Sequence, residues 1–391
     1  MSALPPAVIL GGSFNAVSVA RSLGRAGISV EAIGERMSAV RHSRHCARFV
    51  DLGSGVDVQA RWLEWLDRGP RGAVLLPCDD DGLELIARNR ARLLGAGYLP
   101  FEADDDVVLA MLDKGRTAEL AEAIGFPSPR TATVSAGTDI AKVAEAASYP
   151  CALKPIHSHL FAHRLDGSLK AYVVSSRDEL EARLGELIPL GIEMLVTEII
   201  PGAEDQFAGY YSYIDENGEP LFHLTKRKLR QYPPIFGMGC YHVTTADPEV
   251  ADAGLRFLRG VGVRGLANVE LKRDARDGQL RLIECNHRFT AINELLRIAG
   301  ADLALFAYSR LSGRPLPSMS RYASDVRLWH PLQDARAAAG LRRRGELSLC
   351  GWARSVAHRQ HTPLFEWRDP RPSIGFGLAR ITRRAGRGPT R

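Results

Sequence analysis

Asn268-Val269-Glu270-Leu271-Lys272 and Leu282-Ile283-Glu284-Cys285-Asn286-His287-Arg288-Phe289 are two alternating runs separated by a polar turn, Asp274 to Gly278. The spacing predicts a β-hairpin, Val269 to Arg273 with Gln279 to Cys285. Glu270 stands on its first strand and Glu284 on its second. Asn286 follows two residues after Glu284 and so shares its side of the extended chain. Three oxygen donors converge there without histidine or thiol, a set that suits Mg2+ (or Mn2+) shared with substrate phosphates. Alternation turns Cys285 to the opposite face, where a core thiol is expected.

Working outward, Gln206 to Ile214 and Pro220 to Leu229 read as a second hairpin around Asp215-Glu216-Asn217-Gly218. Alternation places Lys226, Lys228 and Arg230 on one face of its second strand, three cations suited to an acidic substrate or an acyl phosphate. Ile235 to Gly239 supplies backbone able to close over a ligand. Upstream, Met194 to Gly202 is an apolar strand running into a turn, and Cys151-Ala152-Leu153-Lys154-Pro155 is a short strand ending in a lysine. Asp113-Lys114 separates two helices, the second stopping at Gly125-Phe126-Pro127. At the chain's start, Ala7 to Leu10, a Gly11-Gly12 turn and a helical run give strand, turn, helix. Strands at Ile28 to Ile33 and Ala73 to Pro77 with a helix at Leu83 to Leu94 extend this into a doubly wound parallel sheet. The glycines lack the G-x-G-x-x-G spacing of a dinucleotide site, and Asp79-Asp80-Asp81 suits the start of the helix that follows.

The 391 residues are 45% hydrophobic and 25% charged, ample for two or three cores and inconsistent with a disordered chain. Six cysteines without C-x-x-C spacing indicate neither a zinc site nor a disulfide framework. No apolar run is long enough for a transmembrane helix, no secretion signal is apparent at Met1 to Pro6, and a cytoplasmic location is expected. The formal charge of +6 is unevenly spread. Residues 321–391 hold 15 arginines, no lysine and five acids, for +10, so residues 1–320 carry −4. Only seven of 51 basic residues are lysines, and a lysine kept against such a bias merits a closer look, because an ammonium is not replaced by a guanidinium at every site.

Together, Asp113-Lys114, Leu153-Lys154-Pro155, Val196 to Gly202, Asn268 to Lys272 and Leu282 to Phe289 resemble the ATP-grasp superfamily of carboxylate–amine ligases, in its order, across about residues 105–312. The branch that includes D-aspartate-ligase-like and carbamoyl-phosphate-synthase-like enzymes is the most similar. The resemblance implies an α/β fold: a Rossmann-like pre-ATP-grasp domain (1–106), a two-lobed α+β ATP-grasp domain (107–315, lobes about 107–197 and 198–315) and a small basic C-terminal extension (316–391). It further implies that Lys154 and Lys114 contact ATP phosphates and that Glu198 holds the adenine amino group. The backbone of Ile199 and Ile200 would read the ring edge, with Asp205, or its neighbour Glu204, at the ribose. Glu270, Glu284 and Asn286 would hold magnesium. Arg288 would clamp the phosphoryl group or a substrate carboxylate, its structural alternative being an ion pair with Glu294, and Lys228 and Arg230 would act beside it. One departure is the segment Ile156 to Leu169, which has a single glycine where the family carries a glycine-rich flap; His157, His159, His163 and Arg164 are its substitute donors.

The implied reaction activates a carboxylate as an acyl phosphate and joins it to an amine, with an amino acid or acidic small molecule as substrate. A biotin-carboxylase-like subunit is the alternative within the enzyme class, although no biotinyl-lysine segment is visible. A nucleic-acid or membrane-surface binding protein acting through the Arg-rich C-terminus is the alternative outside it. The expected partners are small molecules rather than nucleic acid, and a homodimer is compatible with the sequence.

Overall fold

A computed structural model describes residues 4–157, 171–319 and 321–386. His159, His163, Arg164 and most of the glycine-poor segment lie outside the described residues. The chain divides into two compact units. The first comprises residues 1–103, 287–330 and 358–391, and the second residues 104–286 and 331–357.

In the first unit, β1 (Ala7–Leu10), β2 (Val30–Gly34), β3 (Arg48–Asp51), β4 (Val74–Pro77) and β5 (Leu99–Pro100) form a parallel sheet in the order β3-β2-β1-β4-β5. β1 is buried along its whole length, as expected of a central strand covered on both faces, and its apolar run needs no alternation. Helices α1 (Phe14–Arg25), α2 (Val58–Asp67) and α3 (Asp80–Gly95) complete the alternation. Gly11 and Gly12 turn the chain with φ of 65° and 89°. A side chain at Gly11 would collide with the Asp79 carboxylate, which caps α3 by accepting from Gly82 N–H at 2.9 Å and also accepts from Gly12 N–H at 3.0 Å.

The second unit begins with α4 (Asp105–Leu112) and α5 (Lys114–Ala123), each capped by an aspartate, Asp104 and Asp113. Strands β6 (Thr131–Val134), β7 (Cys151–Pro155), β8 (Tyr172–Val174) and β9 (Met194–Glu198) make a small antiparallel sheet, β6-β9-β7-β8. Helices α6 (Ile140–Ala146) and α7 (Arg177–Leu187) contribute Ala144, Leu180, Leu184 and Leu187 to its core. A larger antiparallel sheet runs β14-β13-β10-β11-β12, from β10 (Phe207–Ile214), β11 (Pro220–Tyr232), β12 (Met238–Thr245), β13 (Gly265–Arg273) and β14 (Leu280–Asn286). One face of it, with Ala208, Tyr210, Val269, Leu271, Leu282 and Cys285, packs on α8 (Pro248–Gly260) and on α4 and α5. Cys285 is thus a core thiol.

The C-terminal residues do not form a separate extension. Helices α9 (Asn293–Ile298) and α10 (Leu303–Leu311) belong to the first unit, whereas α11 (Pro331–Arg343) and α12 (Leu349–Val356) belong to the second. The chain then returns to the first unit, where Arg21, fully buried, meets Asp369 at 3.0 Å and donates to the Leu364 and Asp369 carbonyls. Asp369 also accepts from Ser43 Oγ at 2.7 Å and Arg44 N–H at 3.0 Å. No cluster of sequence-local residues signals this arrangement; it follows from one buried charge needing a partner.

Candidate active site

The face of the large sheet opposite its core carries the charges. Because Val269 and Leu271 point to the core, Asn268, Glu270 and Lys272 point away from it. Glu270 pairs directly across β13 and β14 with Glu284, and Asn268 with Asn286. A register irregularity between Glu270 and Leu271 leaves Ile283 as an extra residue on β14, which restores Cys285 to the core and Glu284 and Asn286 to the polar face.

On β11, Lys226 stands opposite Gly209 and Lys228 opposite Phe207. Lys228 Nζ lies 2.7 Å from Glu270 Oε1 and Lys226 Nζ 3.7 Å from Glu270 Oε2. Gly209 makes this possible, since a Cβ there would sit 2.4 Å from Lys226 Cε. Phe207 supplies an aromatic floor, with Lys228 Nζ 3.6 Å and Lys272 Nζ 5.1 Å from its ring centroid. Burial pulls Lys226 down to about 8, against the Glu270 charge that raises it.

Lys154 comes to the same charges from β7. Burial lowers its pKa to about 8; Glu284 and Glu270 oppose the shift, while Lys114 and Lys228 add to it. Its ammonium sits 4.8 Å from the Phe236 ring centroid, and Lys114 Nζ donates to the Ile156 carbonyl at 3.3 Å. The structure therefore brings together five of the residues expected from sequence: Lys114, Lys154, Lys228, Glu270 and Glu284.

Other expectations change. Arg230 does not share a face with Lys226 and Lys228, because β11 and β12 are both irregular there: Lys228 pairs with His242, Arg230 with Tyr241 and Gln231 with Gly239. Leu229 and Cys240 are the extra residues, and each shifts the alternation by one. Arg230 turns instead to Asp334, 2.5 Å from its Nε, and to Ser355 Oγ at 3.0 Å. Trp352 Nε1 donates to the same Asp334 at 2.9 Å. Arg230 is a buried cation whose carboxylate partner in this structure is Asp334, away from the face that carries Lys226 and Lys228.

Glu198 is likewise engaged elsewhere. Its Oε1 takes Arg276 at 2.5 Å and its Oε2 the Arg130 N–H at 3.2 Å. Burial works to raise its pKa, but these two donors and their charges hold it below the usual carboxylate range. The carboxylate expected at the adenine is thus already paired within the protein. Beside it, Lys272 donates to the Ile200 carbonyl at 2.7 Å, so that carbonyl is held by the protein. Asp205 pairs with Arg227 at 3.2 Å, whereas Glu204 accepts from Gln231 N–H at 3.4 Å and raises the pKa of Lys272 against a larger lowering by burial. Arg288, in the first unit, places Nε 2.5 Å from Asp80 Oδ1, and Glu294 is taken by Arg297 at 2.7 Å, so the Arg288–Glu294 alternative is not realised.

Two residues were missed in the sequence reading. Phe207 gave no signal beyond an apolar position in a strand. Gln231 was hidden by the irregular register: pairing with Gly239, whose Cβ position abuts Lys228 and His242, it falls on the polar face. It is 1% exposed, and neither amide atom has a hydrogen-bond partner among the described residues. A buried amide left this way calls for a water or a ligand.

The donor set on β13 and β14 is oxygen only, and no group of three or more His, Cys, Asp or Glu side chains arranged to hold a metal ion occurs among the described residues. Two carboxylates and an amide fit a magnesium ion that takes its remaining ligands from phosphates and water, and would be too few for an all-protein cage.

A parallel three-layer unit followed by two antiparallel sheets, with lysines of one facing carboxylates of the other, is the build of an ATP-grasp protein. No protein-family model matches the chain. The D-aspartate ligase of Enterococcus faecium is 24% identical over 344 residues, 82% of this chain and 81% of that enzyme. An L-amino acid ligase from Bacillus licheniformis superposes with a TM-score of 0.61 at 16% identity, covering 80% of this chain and 75% of that one. The biotin carboxylase domain of the Hydrogenobacter thermophilus 2-oxoglutarate carboxylase, in complex with MgADP, ADP and bicarbonate, gives 0.61 at 16% identity over 82% and 73%. In sequence the chain is thus similar to a D-aspartate ligase, and in fold to ATP-grasp enzymes.

Proposed function

We propose that this protein is an ATP-dependent ligase that phosphorylates a carboxylate and lets an amine attack the acyl phosphate, giving an amide, ADP and phosphate. The observation that carries it is the convergence of Lys154, Lys114 and Lys228 with Glu270 and Glu284 in one unit. The similarity to a D-aspartate ligase over most of both chains points to an amino acid as one substrate.

Lys154 and Lys114 hold the nucleotide phosphates, and Lys228 meets the transferring oxygens, a positioning and charge-balancing task. Glu270, Glu284 and Asn286 would hold Mg2+, which supplies charge neutralisation on the phosphates when bound. Ile199 and Ile200 offer hinge backbone to the adenine. Glu204 replaces Asp205 as the ribose candidate, because Asp205 is tied to Arg227. Gln231 offers a donor and an acceptor to a ligand on this face. Arg288, held by Asp80, is kept as the candidate for the substrate carboxylate.

The test is phosphate release from ATP with amino acids supplied in pairs, with product identified by mass. An amide that forms only when carboxylate and amine are both present supports the reading. Release that requires bicarbonate and no amine would assign the site to carboxylation instead.

A pH profile gives an independent check. A lysine with its pKa lowered to about 8 is charged below that value and neutral above it, so kcat/KM for ATP, which reports the free enzyme, falls as pH rises through about 8. In Lys154→Arg the fall moves to higher pH. A wild-type profile flat to about pH 9.5 would show that loss of the Lys154 charge does not limit ATP use in this range.

A further inference from the structure

Helix α13 (Arg371–Gly386) lies against the first unit by one side only. Phe376 meets Phe14 edge-on with ring centroids 5.5 Å apart, and Gly375 lies so close to the His42 ring that a Cβ would overlap it at 2.4 Å. Ile374 and Leu378, one turn apart, are 58% and 59% exposed. Just before the helix, Trp367 is 86% exposed and Phe365 43%, stacked edge to face at 4.9 Å. Of the 13 large exposed hydrophobic residues among those described, these four fall within 14 positions of the sequence. Scattered apolar surface residues are ordinary, but a cluster containing an almost fully exposed tryptophan is not.

The charge around this cluster has one sign. Residues 358–391 contain eight arginines, no lysine and two acids. Both acids already have cationic partners: Asp369 the buried Arg21, and the half-buried Glu366 both Arg21 and Arg25. Arg359, Arg368 and Arg371 are exposed, and the Arg44 guanidinium lies beside the Arg368 carbonyl at 3.4 Å. Arg41, also exposed, is on the short turn of helix (Ala39–His42) that α13 packs against. Aliphatic side chains on the outward face of a helix, an interfacial tryptophan and arginines without a surface counter-charge together match the headgroup region of a bilayer. A nucleic-acid backbone would use the arginines and leave Ile374 and Leu378 in water.

We propose that Phe365, Trp367, Ile374 and Leu378, together with the exposed Arg368 and Arg371 of the same stretch and Arg44 beside Arg368, form a surface that docks the protein on an anionic lipid bilayer. The docking is peripheral, since no helix among the described residues is long and apolar enough to cross a membrane.

The full chain is sedimented with vesicles of 30% phosphatidylglycerol in phosphatidylcholine and with phosphatidylcholine alone. The expected result is binding to the anionic vesicles at least about 10-fold stronger than to the neutral ones, weakening several-fold between about 50 and 500 mM salt. Trp367→Ala and Ile374→Asp, both at exposed positions, each lower vesicle binding about 10-fold or more, and Arg368→Glu with Arg371→Glu does the same, while the melting temperature stays at the wild-type value. Equal binding to both vesicle types, or wild-type binding by the Trp367 and Ile374 variants, overturns the proposal. So does a dimer in solution that Ile374→Asp dissociates without any lipid binding, which would assign the face to a second copy. Binding to nucleic acid that the Ile374 variant retains, with no vesicle binding, also overturns it.

Discussion

Glu284→Ala is expected to lower ATP-dependent, amine-stimulated phosphate release by about three orders of magnitude, a loss on the order of 4 kcal/mol in transition-state stabilisation. The size follows from position. Glu284 is exposed, pairs across the sheet with Glu270, and is the largest of the charges that keep Lys154 protonated against burial. Glu270 is already shared by two lysines, which leaves Glu284 as the carboxylate that a cation most needs. Removing it would withdraw the proposed metal donor and the counter-charge of Lys154 together. Unfolding is nearly unaffected, within about 0.5 kcal/mol, because no packing is lost at an exposed strand position. A variant keeping more than about a tenth of the activity would move the metal away from β14.

Asp334→Ala acts in the opposite way, on stability. Asp334 is fully buried and accepts from Arg230 Nε at 2.5 Å, Arg230 Nη2 at 3.1 Å and Trp352 Nε1 at 2.9 Å. Alanine leaves a buried guanidinium and an indole N–H without their acceptor. The expected cost is about 3–5 kcal/mol, seen as a lower denaturation midpoint with unchanged slope. Arg230→Met with Asp334→Leu removes both charges and recovers much of it. The double variant retains ATP binding, since neither group belongs to the nucleotide site. If it is stable but inactive, Arg230 is catalytic after all.

The parallel sheet and the two hairpins were legible because their signals are local: an apolar run, a glycine turn, strict alternation. Lys154, Lys114, Glu270 and Glu284 were legible because rare lysines and paired carboxylates appear in one recognisable order. Arg230 was misread because alternation holds only while the ladder is regular. One extra residue at Leu229 and another at Cys240 turn a cation away from the site and a glutamine toward it. The partners of Glu198 were not legible, because Arg130 and Arg276 stand 68 and 78 positions away in the sequence. The C-terminal residues were read as an appended piece because a buried pair such as Arg21 with Asp369 leaves no trace in composition.

That pairing has a bearing on how the chain acquires its structure as it is made. Arg21 is synthesised 348 residues ahead of Asp369, so the buried contact cannot form until those intervening residues have been added. The second unit draws on nothing beyond residue 357, so every residue it needs is made before Asp369 is.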